Sequence, residues 1–333
     1  MSQYNIAIFG AGRIGGVHGG NITVHPDCKV SHVIDPFGDN AEKLAAKLEA
    51  VVATEAEALA DASVDAIVIG SATNTHADLI EKGLKAGKAV FCEKPVDLSL
   101  ARVEQLIEAI KGESKPLFIA FNRRFDPGIW AMHERIEAGA IGDVELATII
   151  SKDPEAPPLE YIQVAGGLLR DMTIHDFDMA RFLLPEEPVR VTALASALTS
   201  DVVKSEGDLD TAVITLQTAS GAIATITNSR RTTYGYDQRV EVHGSGGMLR
   251  TENMQPTRLI EENASGSVHE KPLYFFIERY QESYRNEWAH FVRVLKGEEQ
   301  PICTIEDGRL ALVLAEAAYK SLAEGRTVDV SEI

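Results

Sequence analysis

Through about residue 121 the chain alternates short β-branched runs with helical periods. "YNIAIF", "KVSHVID", "VDAIVIG", "AVFC" and "PLFIAF" are separated by segments such as Ala41, Leu44, Ala45, Leu48 and Leu100, Val103, Ile107, Ile110, whose apolar positions recur at helical spacing. Strands joined through helices run parallel, because each crossover returns the chain to the same edge of the sheet. This part is therefore expected to be an α/β layer, a doubly wound parallel sheet that binds ligands at the carboxyl ends of its strands.

After about residue 122 the pattern changes. Helices are expected around 128–138 and 168–184, followed by β-prone runs at 189–200, 211–230 and 238–252. "TAVITLQTASGAIATITNS" reads as a hairpin turning at Ser220-Gly221, and "HGSGGM" as another hairpin turn. "NEWAHFVRVLKG" and "GRLALVLAEAAYKSLAEG" close the chain as amphipathic helices, each stopped by glycine. At 333 residues two domains are expected, 1–122 and 123–333, the second an α+β domain with a mostly antiparallel sheet.

A formal charge of −18 argues against a partner that needs a basic surface, so neither nucleic acid nor an anionic membrane is expected. Three scattered cysteines, Cys28, Cys92 and Cys303, give neither a disulfide framework nor a thiolate metal site. With no bilayer-length apolar run and no basic leader before the first strand, a cytoplasmic location is expected.

"FGAGRIG" sets Gly10, Gly12 and Gly15, with Arg13 and Ile14 among them, in a GxGxxG pattern between the first strand and a helix. In that context the glycines turn the chain and admit a pyrophosphate to the helix N-terminus, where backbone N–H groups and the helix dipole meet its charge. Asp35 closes the next strand, 20 residues beyond Gly15. A carboxylate there accepts from both ribose hydroxyls and repels a 2′-phosphate, so NAD is the expected cofactor. The competing reading is an ordinary strand-to-helix turn with a solvated aspartate.

"VFCEKPV" places Glu93 and Lys94 at the carboxyl end of a parallel strand, a suitable address for a catalytic lysine, although such a pair is commonly just surface. "GGLLRDMTIHDFD", read as one helix, puts Asp171, His175 and Asp178 at i, i+4 and i+7 on one face. Three readings compete for that face: an acid–base group, a core histidine held between acids, and a metal site, the last lacking a further ligand cluster. Arg123 and Arg124 in "NRRF" stand at the domain junction, where ion pairing is as good a reading as binding.

"GAGRIG", "SATNTH", "EKP" and "GGLLRDMTIHDFD", in this order, resemble the Gfo/Idh/MocA oxidoreductase family, and "RRFDPG", "KDPEAPP" and "TYGYDQRVEVHG" resemble its inositol dehydrogenase branch. The resemblance implies a Rossmann domain, a substrate-binding and oligomerising α+β domain with a large open sheet, and NAD-linked oxidation of a cyclic polyol by a dimer or tetramer. By position, Lys94, Asp171 and His175 match the family's catalytic residues. Asn74, His76 and Glu93 match positions near the nicotinamide and its ribose, and Arg124, Asp153, Asp178, Tyr236 and Tyr280 the polyol-binding ones. On this reading His175 is the base, Asp171 orients it and Lys94 polarises the reacting oxygen. Myo-inositol is the expected substrate; scyllo- or chiro-inositol, glucose, or a non-catalytic sensor on the same fold are the alternatives.

Overall fold

The computed structural model describes residues 3–333. It divides into two compact units, one running through Phe125 and including Ser283–Leu312, the other Asp126–Glu282 with Val313–Ile333. The division thus differs from a single boundary after residue 122. The reason is apolar packing: on the helix Gln281–Leu295, Trp288 and Phe291 lie with ring centroids 5.7 and 5.4 Å from that of Phe91 inside the first sheet.

The first unit carries β1 (Tyr4–Phe9), β2 (Cys28–Ile34), β3 (Val51–Val52), β4 (Ala66–Ile69), β5 (Ala89–Glu93) and β6 (Leu117–Ala120), in the order β3-β2-β1-β4-β5-β6 and parallel throughout. Every residue of β4 and β5 is buried, as expected for strands covered on both faces. The order reverses between β1 and β4, the topological switch point at which such sheets bind ligands. Beyond β6, the Ile119 N–H donates to the Cys303 carbonyl at 3.1 Å, so the returning segment covers an edge that would otherwise be open.

The second unit is built on β7 (Val144–Lys152), β8 (Pro188–Ser196), β9 (Thr211–Thr218), β10 (Ile223–Ser229), β11 (Asp237–Gly244) and β12 (Gly247–Thr251). A separate hairpin, β13 (Ile260–Asn263) with β14 (Gly266–His269), follows, and β15 (Val328–Asp329) completes the large sheet. The order β12-β11-β7-β10-β9-β8-β15 is antiparallel except for the parallel pair β7–β10. Both expected hairpins form: Gly221, with φ +101°, turns β9 into β10, and Ser245-Gly246 joins β11 to β12. One sheet face is core, with Val191, Ala193, Ala212, Ile214, Leu216, Ala224 and Ile226 buried. The other exposes Leu146, Leu194 and Val213.

The helix expected over 168–184 is two helices, Leu168–Asp171 and Ile174–Leu183. Between them the Thr173 N–H reaches back five residues to the Leu168 carbonyl, and His175 and Asp176 then donate only three residues back. Thr173 causes the break. Its buried hydroxyl donates to Asn228 Oδ1 on β10 at 2.7 Å, drawing the backbone toward the sheet. Asp171 and His175 therefore do not share a continuous helical face, which corrects the i, i+4 argument.

Among the described residues no helix is long and apolar enough to cross a membrane, and the three cysteines are buried and form no disulfide.

Candidate active site

The loop after β1 is shaped by close backbone approach. Gly10 has φ +102°, and a Cβ there would come within 2.6 Å of the Gly70 backbone after β4. A Cβ on Gly15 would lie 1.9 Å from the Gly10 carbonyl oxygen. Nothing lies within 4 Å of where a Gly12 Cβ would be, so the N-terminus of the helix Arg13–Val24 opens onto free space. Arg13 is exposed and Ile14 half-buried, its Cγ2 3.1 Å from the Cβ position of Gly70. Asp35 is tied to this loop: Oδ2 accepts from the Ala11 N–H at 2.7 Å and Oδ1 from the Phe37 N–H at 2.8 Å. Each oxygen retains a lone pair for a further donor.

Glu93 ends β5 and is buried, with Oε1 2.7 Å from His18 Nε2. Lys94, next along, is half-buried. His76 lies beneath this turn, 2% exposed, Nδ1 2.8 Å from the Pro95 carbonyl oxygen and Nε2 3.1 Å from that of Ser71. Burial holds this imidazole below its ordinary pKa; the neutral ring has one N–H, which the shorter contact assigns to the Pro95 carbonyl, tying His76 to that turn. Asn74 is exposed on the short turn Thr73–Thr75. Arg124 has two firm partners in the first unit: Nη1 donates to the Ile302 carbonyl at 2.8 Å and Nη2 to Asp307 Oδ1 at 2.9 Å. Burial pushes the Asp307 carboxyl up, but the Arg124 charge and the Thr304 hydrogen bonds outweigh it and hold it low.

In the second unit Asp171 is gripped from two sides. Tyr161 Oη donates to Oδ1 at 2.7 Å and Arg230 Nη2 to Oδ2 at 3.0 Å. Arg230 is 3% exposed; burial works against its charge, but Asp171 and then Asp153 outweigh that cost, and the guanidinium stays protonated. Arg230 thus relates two of the expected residues, Asp171 and Asp153. His175 is half-buried. Asp178 is 1% exposed, with Arg181 Nη1 3.8 Å away. Tyr236 and Tyr280 are both buried and meet edge to face, ring centroids 6.1 Å apart, and Tyr280 Oη donates to Gln238 Oε1 at 3.3 Å.

Tyr161, Arg230 and His18 were not singled out from the sequence. The first arginine of "SRRTT", directly after a strand, and a lone histidine in the glycine-rich helix were the available signals.

Residues 4–121 match the model of an oxidoreductase family with an NAD-binding Rossmann fold, and residues 129–250 that of the GFO/IDH/MocA C-terminal domain. An inositol 2-dehydrogenase of Rhizobium meliloti is 46% identical over 326 residues, covering 97% of this chain and 98% of its own length. The crystal structure of a myo-inositol dehydrogenase from Corynebacterium glutamicum superposes with a TM-score of 0.94 at 41% identity, covering 98% of each chain. That of scyllo-inositol dehydrogenase from Lactobacillus casei, with bound NAD(H) and scyllo-inositol, superposes at 0.91 with 27% identity over 99% of this chain and 100% of the other. With both units matched and relatives alike over nearly their whole length, the chain belongs to the Gfo/Idh/MocA family of oxidoreductases, and its first unit is their NAD-binding Rossmann fold.

Proposed function

We propose that the chain oxidises a ring hydroxyl of myo-inositol to the 2-keto product, an inosose, with NAD as cofactor. The observation that carries this reading is Lys94 at the carboxyl end of β5, in a chain alike over nearly its full length to inositol dehydrogenases. The first unit fits NAD on its own geometry: the helix N-terminus behind Gly12 is open, and Asp35 directly follows β2 beside the loop. Gly10, Gly12, Arg13, Ile14 and Gly15 would hold the pyrophosphate and Asp35 the ribose, with Asn74, His76 and Glu93 toward the nicotinamide. NAD, when bound, supplies the acceptor for the hydride that leaves the inositol carbon.

The chain's own residues handle the proton and the charge. His175 takes the hydroxyl proton, a task suited to imidazole because its unperturbed pKa lies near neutrality. Asp171, fixed by Tyr161 and Arg230, stabilises the resulting imidazolium. Lys94 donates to the reacting oxygen as negative charge develops there. Asp153, Asp178, Tyr236 and Tyr280 are assigned to the other ring hydroxyls. Arg124, with its bonds to Asp307 and Ile302, contributes chiefly by holding the turn that contains it. A homo-oligomer, dimer or tetramer, formed through the open sheet face is part of the same reading, supported by exposed Leu146, Leu194 and Val213.

Nicotinamide absorbance with NAD and a panel of myo-, scyllo- and chiro-inositol and glucose tests the substrate. The fastest reduction is expected with myo-inositol. Preference for scyllo-inositol would move the substrate toward that of the Lactobacillus casei enzyme, and no reduction with any of the four would overturn the reading.

A further inference from the structure

Lys94 sits in a turn held on both sides. After it, the Pro95 carbonyl is bound by His76; before it, the Glu93 carboxylate is bound by His18. His18 is 0% exposed on the helix Arg13–Val24, and its ring is locked edge-on between Phe91 and Tyr284, with centroids 5.0 and 5.7 Å away. Its Nε2 is 2.7 Å from Glu93 Oε1, and since a carboxylate only accepts, Nε2 carries the proton in that bond. The other ring nitrogen, Nδ1, is buried with no partner, and so are both carboxyl oxygens of Glu287, one turn beyond Tyr284.

A ring nitrogen left unbonded in the interior costs stability, and an apolar side chain would fill the same space without that cost. Packing therefore does not explain a histidine at this position; its bond to Glu93 does. Burial, with the Glu93 charge second, pushes the Glu287 carboxyl well above the ordinary range. Ionisation of Glu287 is thus disfavoured, and the carboxyl group that His18 engages is that of Glu93.

We propose that His18 is a positioning residue of the cofactor site: its Nε2 fixes the Glu93 carboxylate and, together with His76, clamps the turn that carries Lys94. The proposal rests on reading Glu93 as a cofactor-site residue and Lys94 as catalytic. It predicts that His18 is felt in cofactor affinity and turnover, and not in the KM for the polyol.

The test titrates NADH by fluorescence and measures kcat and both KM values for the wild type, His18→Asn, His18→Gln, His18→Phe, Glu93→Gln and the His18→Asn/Glu93→Gln double variant. Glutamine extends an amide nitrogen about as far as imidazole Nε2, whereas asparagine reaches only as far as Nδ1. His18→Asn is expected to lower kcat/KM for NAD by roughly ten- to a hundredfold, the size of one hydrogen bond to a charged group, with His18→Gln recovering to within about threefold. His18→Phe keeps the ring contacts and lacks the nitrogen, so it should match His18→Asn and decides the matter if that variant does not fold. In the Glu93→Gln background the asparagine change should cost less than about twofold more. Wild-type NADH affinity and turnover in His18→Phe, or full additivity in the double variant, would overturn the proposal. Tight NADH binding by a wild type that turns over none of the inositols would instead overturn the substrate reading, while the binding series still tests His18.

Discussion

Replacing Glu287 with glutamine should stabilise the protein progressively as the pH rises. Glu287 is 0% exposed and neither carboxyl oxygen has a partner. Burial first, and the Glu93 charge second, raise its pKa well above the ordinary 4.5. The folded protein therefore keeps this proton at a pH where the unfolded chain has released it. Between 4.5 and the raised value the unfolded state binds one proton fewer, so this residue makes stability fall with rising pH, by about 1.4 kcal/mol per unit. Glutamine has nearly the same shape and no proton to lose. Its unpartnered amide adds an offset that does not vary with pH, so the diagnostic quantity is the change in the difference between the two proteins. From about pH 5 upward the variant should gain steadily on the wild type, until the pH reaches the raised value. Urea unfolding of both proteins across that range measures the gain, and other titrating groups cancel because both chains carry them. A constant difference, or one that shrinks with rising pH, would mean that Glu287 is ionised in the fold and would refute the reasoning.

Four further outcomes are expected. Lys94→Ala should lower kcat by about 10²- to 10⁴-fold while NADH binding, followed by fluorescence, stays near wild type. Asp35→Ser should shift the ratio of kcat/KM for NADP over NAD upward by at least about tenfold, because the carboxylate that repels the 2′-phosphate is gone. Arg230→Met leaves Asp171 with Tyr161 but without its buried cation, and should cost about 3 kcal/mol of stability in urea unfolding together with most of the turnover; an active, fully stable variant would show that the pair does not fix Asp171. Leu194→Glu, on the open sheet face at 75% exposure, should reduce the assembly measured by sedimentation without changing the fold.

What was legible in the sequence follows from where the stabilising partners lie. The parallel sheet was readable because β4 and β5, buried on both faces, appear as unbroken apolar runs. The glycine loop was readable because its constraint is local: Gly15 is excluded from having a side chain by Gly10. β7 was missed because "VELATIISK" opens on exposed residues, so the alternation that buries Ala147 and Ile149 begins late. The helix break was invisible because Thr173 is drawn out of line by Asn228, 55 residues on. His18 and Arg230 act through Glu93 and Asp171, 75 and 59 residues away, and no spacing rule links such pairs. The return of Ser283–Leu312 to the first unit depends in the same way on Phe91 and Phe118, aromatic residues far away in sequence. Local chemistry could be read along the chain; the groups that fix it in place required the fold.

The central claim is that this chain moves a hydride from an inositol ring carbon to NAD. Incubation with myo-inositol deuterated at carbon 2, followed by mass analysis of the nicotinamide product, tests it most directly. The account predicts reduced cofactor carrying one deuterium, formed together with unlabelled inosose. Reduced cofactor without deuterium, or no reduction by a preparation that binds NADH, would contradict it.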